Sequence, residues 1–102
     1  MRARSDEVLS LTVLRARRRE ILDLAAAHGA SNVRLFGSVA AGTARAGSDV
    51  DFLVDFAPGC TLIDQIGLWR GLEDLLGVRV DLVSAGGLTE RDDDIREDAI
   101  AL

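Results

Sequence analysis

Asp49 and Asp51 stand one residue apart at the start of the apolar run 52–54. Successive side chains of a β-strand point to opposite faces, so these two acids project from the same side, about 7 Å apart along the backbone. Carboxylates at that spacing can share a pair of divalent cations, which two-metal sites for phosphoryl and nucleotidyl transfer hold about 3.5 to 4 Å apart. The Asp-x-Asp pattern therefore predicts a metal site at the start of a strand.

A Gly-Ser pair, Gly37 and Ser38, precedes Asp49 by a spacer of ten residues. If residues 33–36 form a strand and Ser38 opens a short helix, free backbone N–H groups and the Ser38 hydroxyl face one point. Such a point attracts the anionic oxygens of a nucleoside triphosphate. The pair thus predicts a phosphate cradle beside the metal site.

Paired aspartates also have a structural interpretation, since they commonly cap a strand or hold a turn. That interpretation loses weight because Asp has a low strand propensity, and because acids that enter or interrupt apolar runs are costly unless a positive charge neutralises them. Three acids do so here: Asp49, Asp51 and Asp81. Asp55 shares the face of Asp51 but lies about 13 Å away at the rise of a strand, too far to share the ion pair. We expect Asp55 to be the strand-end residue before a turn.

The spacing resembles that of the DNA polymerase beta-type nucleotidyltransferase superfamily, in particular its minimal, single-domain members. Their pattern is Gly-Ser, a spacer such as the ten residues found here, Asp-x-Asp, and a third carboxylate on a later strand. Asp81, in the apolar run 80–83, stands where that third acid is expected. The resemblance covers nearly the whole chain and extends to residues 42–45, 48, 88–91 and 95–100. It implies that Asp49, Asp51 and Asp81 are the catalytic acids and hold two Mg²⁺ ions.

The resemblance also implies a nucleotide site for ATP, the expected substrate. Gly37, Ser38 and Arg45 would contact the nucleotide. Many relatives carry Arg where this chain has Ala41, which leaves Arg45 as the nearest basic side chain for a phosphate.

The function that the resemblance implies is transfer of AMP from ATP to a hydroxyl, a tyrosine, of a partner HEPN-type ribonuclease toxin, so that the chain acts as an antitoxin. Two alternatives stay open. One is a nucleotidyltransferase that acts on a small-molecule hydroxyl, which the lack of a second substrate-holding domain disfavours. The other is an antitoxin that occludes its partner without chemistry, which would not require the three acids and Ser38 together.

Composition bounds the class of protein. A chain of 102 residues with 48% hydrophobic content predicts a single domain over 1–102, with about 1–9 as a loose N-terminal arm. A formal net charge of -5 disfavours an extended nucleic acid as partner. The lone Cys60 excludes an intrachain disulfide, and no apolar stretch approaches a membrane span, so we expect a cytoplasmic protein.

The predicted order of elements is helix, strand, short helix, strand, helix, strand, helix. The expected ranges are a helix over about 10–28 closed by Gly29, a strand at 33–36, a short helix from 38, a strand from 49, a helix over 61–77, a strand at 80–83 and a last helix that begins near 92–94. They predict a mixed α/β (α+β) fold of the polymerase-beta-like type, a small mixed sheet with helices on one face and the acids on the other.

Two apolar surfaces are predicted to have different roles. The helix over 61–77 carries an apolar stripe at core spacing that includes Leu62, Ile66 and Trp69, which we expect to pack inward. Leu53 and Val83 share the open sheet face with the acids, and apolar residues there suggest that a partner protein completes the face.

Overall fold

The computed structural model describes residues 8–88 and 93–102. Residues 1–7 of the predicted N-terminal arm, and residues 89–92, lie outside the described part. The elements in chain order are α1 Leu11–Ala16, α2 Arg18–Ala27, β1 Ala30–Phe36, α3 Gly37–Ala41, β2 Val50–Phe56, α4 Leu62–Leu76, β3 Val80–Ser84, a 3₁₀ helix Ala85–Gly87, α5 Asp93–Asp98 and β4 Ile100–Ala101. None of these helices is both long and apolar enough to cross a bilayer.

The strands form one mixed sheet in the order β3-β2-β1-β4. β2 runs parallel to β3, whereas β1 runs antiparallel to both β2 and β4. This sheet, with its helices, confirms the predicted mixed α/β class. The fourth strand was not predicted, because two residues give no period-2 pattern and β4 exists only through its pairing with Arg34 and Leu35 of β1.

The first helix differs from the prediction of one helix over about 10–28. It is two helices, separated at Arg17, whose backbone (φ -107°, ψ 17°) leaves the helical region. A tertiary contact accompanies the break: Arg17 Nη1 donates to the Leu75 carbonyl oxygen at 3.0 Å. The last carbonyls of a helix lack intrahelical partners, so the Arg17 side chain satisfies one at the end of α4. The expected ends are confirmed, since Ser10 caps α1 and Gly29 is left-handed after α2.

The main core lies between the sheet and the helices. β2 contributes the fully buried Phe52 together with Val50 and Val54, all on one face of the strand. β1 adds Leu35, and the facing helices contribute five large, fully buried side chains: Leu14, Ile21, Leu68, Leu72 and Leu76. At roughly 1.5 to 3 kcal/mol for each buried large apolar side chain, this layer is the main stabilising contribution that holds β2 in place.

The predicted inward packing of the whole apolar stripe of α4 is wrong. Leu62 is 68% exposed, Ile66 40% and Trp69 39%. Only the row at i, i+4 spacing that faces the sheet, Leu68, Leu72 and Leu76, is fully covered. β3 is the edge strand, so within residues 8–88 and 93–102 no further strand extends beneath the other side of α4.

Leu53 is also placed differently from the prediction. It faces away from Phe52 and Val54 by strand alternation, yet it is fully buried, and Val83 beside it is half-buried. The reason is that the 3₁₀ helix after β3 packs against β2. The second face of the sheet is therefore covered at this position, and Leu53 is not available to a partner.

Candidate active site

The sheet topology brings three segments to one end of the sheet. Because β1 is antiparallel to β2 and β2 is parallel to β3, the last residues of β1 and the first residues of β2 and β3 lie at the same end of the sheet. The register sets Phe36 opposite Asp51, and Asp51 opposite Asp81. Gly37 follows Phe36 directly and Asp49 precedes β2 by one residue. The segments of the predicted cradle and the predicted acids therefore meet.

Gly37 packs directly against the carboxylate of Asp51. Its φ of +69° is left-handed, and a Cβ atom on its backbone would overlap Asp51 Oδ2 and lie 3.0 Å from Asp51 Cγ. A side chain at this position would carry both the conformational cost and the overlap. The glycine of the Gly-Ser pair thus makes room for the second acid of the Asp-x-Asp pair.

Asp49 and Asp81 both lie close enough to Asp51 to affect its ionisation. The pKa of Asp51 is raised from 3.8 to about 6, first by burial, then by a hydrogen bond with Asp81 and by the negative charges of Asp81 and Asp49. In the described residues no group of three or more acidic, His or Cys side chains is arranged as a ready-made metal site. Asp51 instead lies beside Asp81, its register partner on β3. Two carboxyl groups that meet in this way share a proton or a cation, and hard oxygen donors suit Mg²⁺.

A tight turn positions Asp49. The Arg45 backbone N–H donates to Ser48 Oγ at 2.9 Å, and the Ser48 N–H donates to the Arg45 carbonyl oxygen at 3.0 Å. The turn leads straight into Asp49, which is exposed. The Arg45 side chain is also exposed, so its contact with a phosphate stays a prediction.

Ser38 is the second residue of α3 and is half-buried. Its carbonyl oxygen accepts from the Thr43 N–H at 2.9 Å, and the left-handed Gly42 ends the helix. Gly37 and Ser38 therefore form the first turn after β1, beside Asp51. Their contact with a nucleotide stays a prediction.

Asp55 lies outside this cluster, as its separation along β2 predicts. Its Oδ1 forms a salt bridge with Arg34 Nη2 at 3.0 Å, and its Oδ2 accepts from Asn32 Nδ2 at 3.0 Å. This carboxylate is neutralised by side chains of β1 and has a structural role.

Two residues that hold β3 were not singled out for this role from the sequence. Trp69 Nε1 donates to the Val80 carbonyl oxygen at 2.6 Å, and Glu73 Oε2 accepts from the Val80 N–H at 3.0 Å. Both contacts fix the strand one residue before Asp81. The only sequence signal is the separation of four residues between Trp69 and Glu73, which places them on one face of a helix.

The raised pKa predicts a pH-dependent gain in stability for Asp51→Asn. The folded state holds the Asp51 proton more tightly than the unfolded chain, so the stability that this proton contributes is present below pH 3.8 and lost as the pH rises through about 6. We therefore expect the variant to match the parent at pH 3.5 without metal. At pH 7.5 the free energy of unfolding should rise by about 1 kcal/mol, after discounting for solvent screening, as measured by urea unfolding.

Asp55→Asn is the matched control for that prediction. It also removes a carboxylate from β2, but it breaks the Arg34 salt bridge, so the free energy of unfolding at pH 7.5 should fall by up to about 1 kcal/mol. A gain for Asp51→Asn of the same size at both pH values would show that ionisation of the Asp51 carboxyl is not the cause.

Comparisons with known proteins agree with this geometry. The family model described as Nucleotidyltransferase domain matches residues 18–101, so the chain belongs to this family. Protein adenylyltransferase MntA of Thermococcus cleftensis is 40% identical over 77 residues, which cover 76% of this chain and 75% of that protein. A solved structure described as a minimal nucleotidyltransferase is 53% identical, with a TM-score of 0.81, and the match covers 92% of this chain and 97% of that chain.

A second solved structure, a toxin-antitoxin with AMP-PNP, is 29% identical with a TM-score of 0.60, and the match covers 70% of this chain and 59% of that chain. The family match and the shared fold define the class: this chain is a nucleotidyltransferase with the minimal nucleotidyltransferase fold.

Proposed function

We propose that this chain transfers AMP from ATP to a tyrosine hydroxyl of a partner HEPN-type ribonuclease toxin and thereby acts as its antitoxin. The observation that carries the proposal is the meeting of Asp49, Asp51 and Asp81 beside Gly37 at one end of the sheet. Relatives named as protein adenylyltransferases support a protein acceptor. The toxin-antitoxin structure with AMP-PNP supports an adenine nucleotide and a toxin partner.

The residues present fit a divalent cation. Asp49, Asp51 and Asp81 would hold Mg²⁺, because carboxylate oxygens are its preferred ligands and because these three acids repel one another without it. Bound Mg²⁺ would supply positive charge at the phosphate oxygens and lower the pKa of the attacking hydroxyl. The chain itself positions the Asp51 carboxylate. The register of β2 with β3 and the contact with Gly37 fix this carboxylate before substrate binds.

The proposed reaction is an in-line displacement at the α-phosphorus of ATP. The hydroxyl oxygen bonds to that phosphorus, the bond to the oxygen bridging the α- and β-phosphates breaks, and pyrophosphate leaves. Backbone N–H groups of Gly37 and Ser38 would receive phosphate oxygens on which negative charge develops. Asp81, on the edge strand, would serve the side from which the acceptor hydroxyl arrives.

Asp81→Asn should separate nucleotide binding from chemistry. If Asp81 serves the acceptor side, the dissociation constant for ATP with Mg²⁺ should change by less than about threefold, while the rate of AMP transfer falls by at least about 100-fold. Calorimetric titration with a non-hydrolysable ATP analogue measures the first quantity, and single-turnover transfer measures the second. An equal loss of both would show that Asp81 serves the whole site.

Co-expression tests the proposal against occlusion without chemistry. The chain is expressed with the HEPN-type toxin proposed as its partner, and the partner's intact mass is measured together with cell growth. The wild type should add one or more AMP groups to the partner and restore growth. Asp49→Asn combined with Asp51→Asn should leave the mass unchanged and growth largely unrestored, whereas Asp55→Asn should behave as the wild type. Full growth rescue by the double variant would contradict the proposal.

A further inference from the structure

A solvent-open groove lies between α4 and the edge strand β3. Leu62, Ile66 and Trp69 of α4 line it at successive helical spacings, and all three are exposed although they are apolar. Residues 80–82 of β3 line the groove opposite them. None of the three belongs to the fully buried row of α4, which is Leu68, Leu72 and Leu76. Exposed apolar residues grouped along a groove mark a binding surface.

The groove opens directly on the acid cluster. Asp81 lines it and is also the register partner of Asp51 on the neighbouring strand. Val80, one residue earlier, is fixed by side chains of α4, so the wall of the groove and the position of Asp81 depend on the same contacts. A molecule seated in the groove therefore lies against the edge-strand acid of the site.

The size and lining of the groove favour side chains of a macromolecule. Its volume is about 270 Å³, below the range of about 300 to 1,000 Å³ in which pockets enclose a whole small ligand. Its α4 wall presents Leu62, Ile66 and Trp69, with Gln65 as the polar residue among them, over about 10 Å or two helical turns. A surface of that length suits two or three apolar side chains spaced along a helix.

Strand addition does not suit this edge. Both backbone polar groups of Val80 are bonded to side chains of α4, the N–H to Glu73 and the carbonyl oxygen to Trp69. An added strand needs free N–H and C=O groups along the edge. At the Asp81 end the groove therefore offers side-chain packing instead of a backbone ladder.

The charge around the groove indicates which side chains should surround the apolar face of the molecule that binds there. The two elements that form its walls carry four acids, Asp64, Glu73, Asp74 and Asp81, against one basic residue, Arg70. The whole chain has a formal net charge of -5. An apolar face bordered by Arg or Lys is complementary to such a surface, and a second copy of this acidic chain is not.

We infer that the α4–β3 groove is the docking site for the acceptor protein, and that it binds an apolar helix face bordered by Arg or Lys while the acceptor hydroxyl reaches Asp81. This inference rests on the proposed function, since it takes the acceptor to be a protein. Leu62, Ile66 and Trp69 are then the apolar residues that contact the partner, and not Leu53, which is buried.

Two neighbouring residues of α4 provide a matched pair of variants. Leu62 lines the groove, whereas Ile63 is 80% exposed and does not line it. Both occupy the first turn after Thr61, where a Glu side chain interacts favourably with the helix dipole, so Leu62→Glu and Ile63→Glu should both fold. Thermal unfolding checks this for each variant, and Ile66→Glu serves as a second groove variant.

Association is measured without ATP, by calorimetric titration of each variant with the HEPN-type toxin proposed as its partner. Leu62→Glu and Ile66→Glu should weaken binding at least tenfold, and Ile63→Glu less than twofold. Equal effects of Leu62→Glu and Ile63→Glu, or no effect of either groove variant, would overturn the inference. The inference would also be overturned if the groove variants changed the sedimentation of the chain alone and left partner binding unaffected. The molecule that occupies the groove would then be a second copy of this chain.

That titration, together with an assay of AMP transfer to the same partner, distinguishes this inference from the proposed function. Partner binding that depends on Leu62, with no AMP transfer by the wild type, would contradict the proposed reaction and leave the docking surface supported. AMP transfer that is unaffected by Leu62→Glu at limiting partner concentration would support the reaction and overturn the docking surface.

Discussion

Replacing Asp49 or Asp51 with Asn is expected to lower the rate of AMP transfer by at least about 100-fold, because each change removes a carboxylate that would neutralise the cations at the phosphate. The fold should persist, since neither residue contributes to the core and repulsion around Asp51 is relieved. Single-turnover transfer with saturating ATP and Mg²⁺ measures the rate, and circular dichroism checks the fold.

Asp55→Asn is the control for this result. Asp55 lies on the same strand and the same face but is paired with Arg34, so its loss should leave transfer close to the wild-type rate. Wild-type transfer by either Asp49→Asn or Asp51→Asn would remove that residue from the reaction.

Gly37→Ala is expected to have the second large effect. The added Cβ would overlap Asp51 Oδ2, and the left-handed φ of +69° adds about 1 to 2 kcal/mol of backbone strain. A catalytic group displaced by about 1 Å can cost about 100-fold in rate, so we expect a loss of that order in AMP transfer together with lower stability. Transfer rate and urea unfolding are measured on the same preparation.

Gly42→Ala distinguishes the effect of backbone strain from the effect of displacing the Asp51 carboxylate. Gly42 has a similar left-handed φ of +76°, but a Cβ there would meet nothing within 4 Å. This variant should lose about 1 kcal/mol of stability and keep transfer close to the wild-type rate. Equal losses of transfer in the two variants would show that strain in this loop, and not the contact with Asp51, determines activity.

The sequence predicted the parts of the site that depend on local pattern. Asp49 and Asp51 lie at the start of β2, and the alternation of side chains along a strand predicts that both project from the same face. The apolar run 80–83 predicted the strand that carries Asp81, and the turn residues predicted the ends of α2 and α4 at Gly29 and Gly77.

What the sequence could not predict depends on contacts between distant residues. The break at Arg17 accompanies a bond to Leu75, and β4 is defined by its pairing with β1. Periodicity likewise assigned Leu62, Ile66 and Trp69 to the core, because it shows which residues share a helix face and not how far the neighbouring sheet extends beneath it. The burial of Leu53 follows from the 3₁₀ helix that packs on β2, which no pattern within β2 indicates.

The central claim is that the acceptor attacks the α-phosphorus of ATP. Transfer from ATP labelled on a single, known phosphorus tests it most directly. The wild-type chain is incubated with Mg²⁺, the purified partner protein and ATP labelled on either the α- or the γ-phosphorus. Attack at the α-phosphorus predicts that the partner carries the α-label only, while the γ-label is recovered in pyrophosphate. Transfer of the γ-label to the partner, or labelled partner without equimolar release of pyrophosphate, would contradict nucleotidyl transfer at this site.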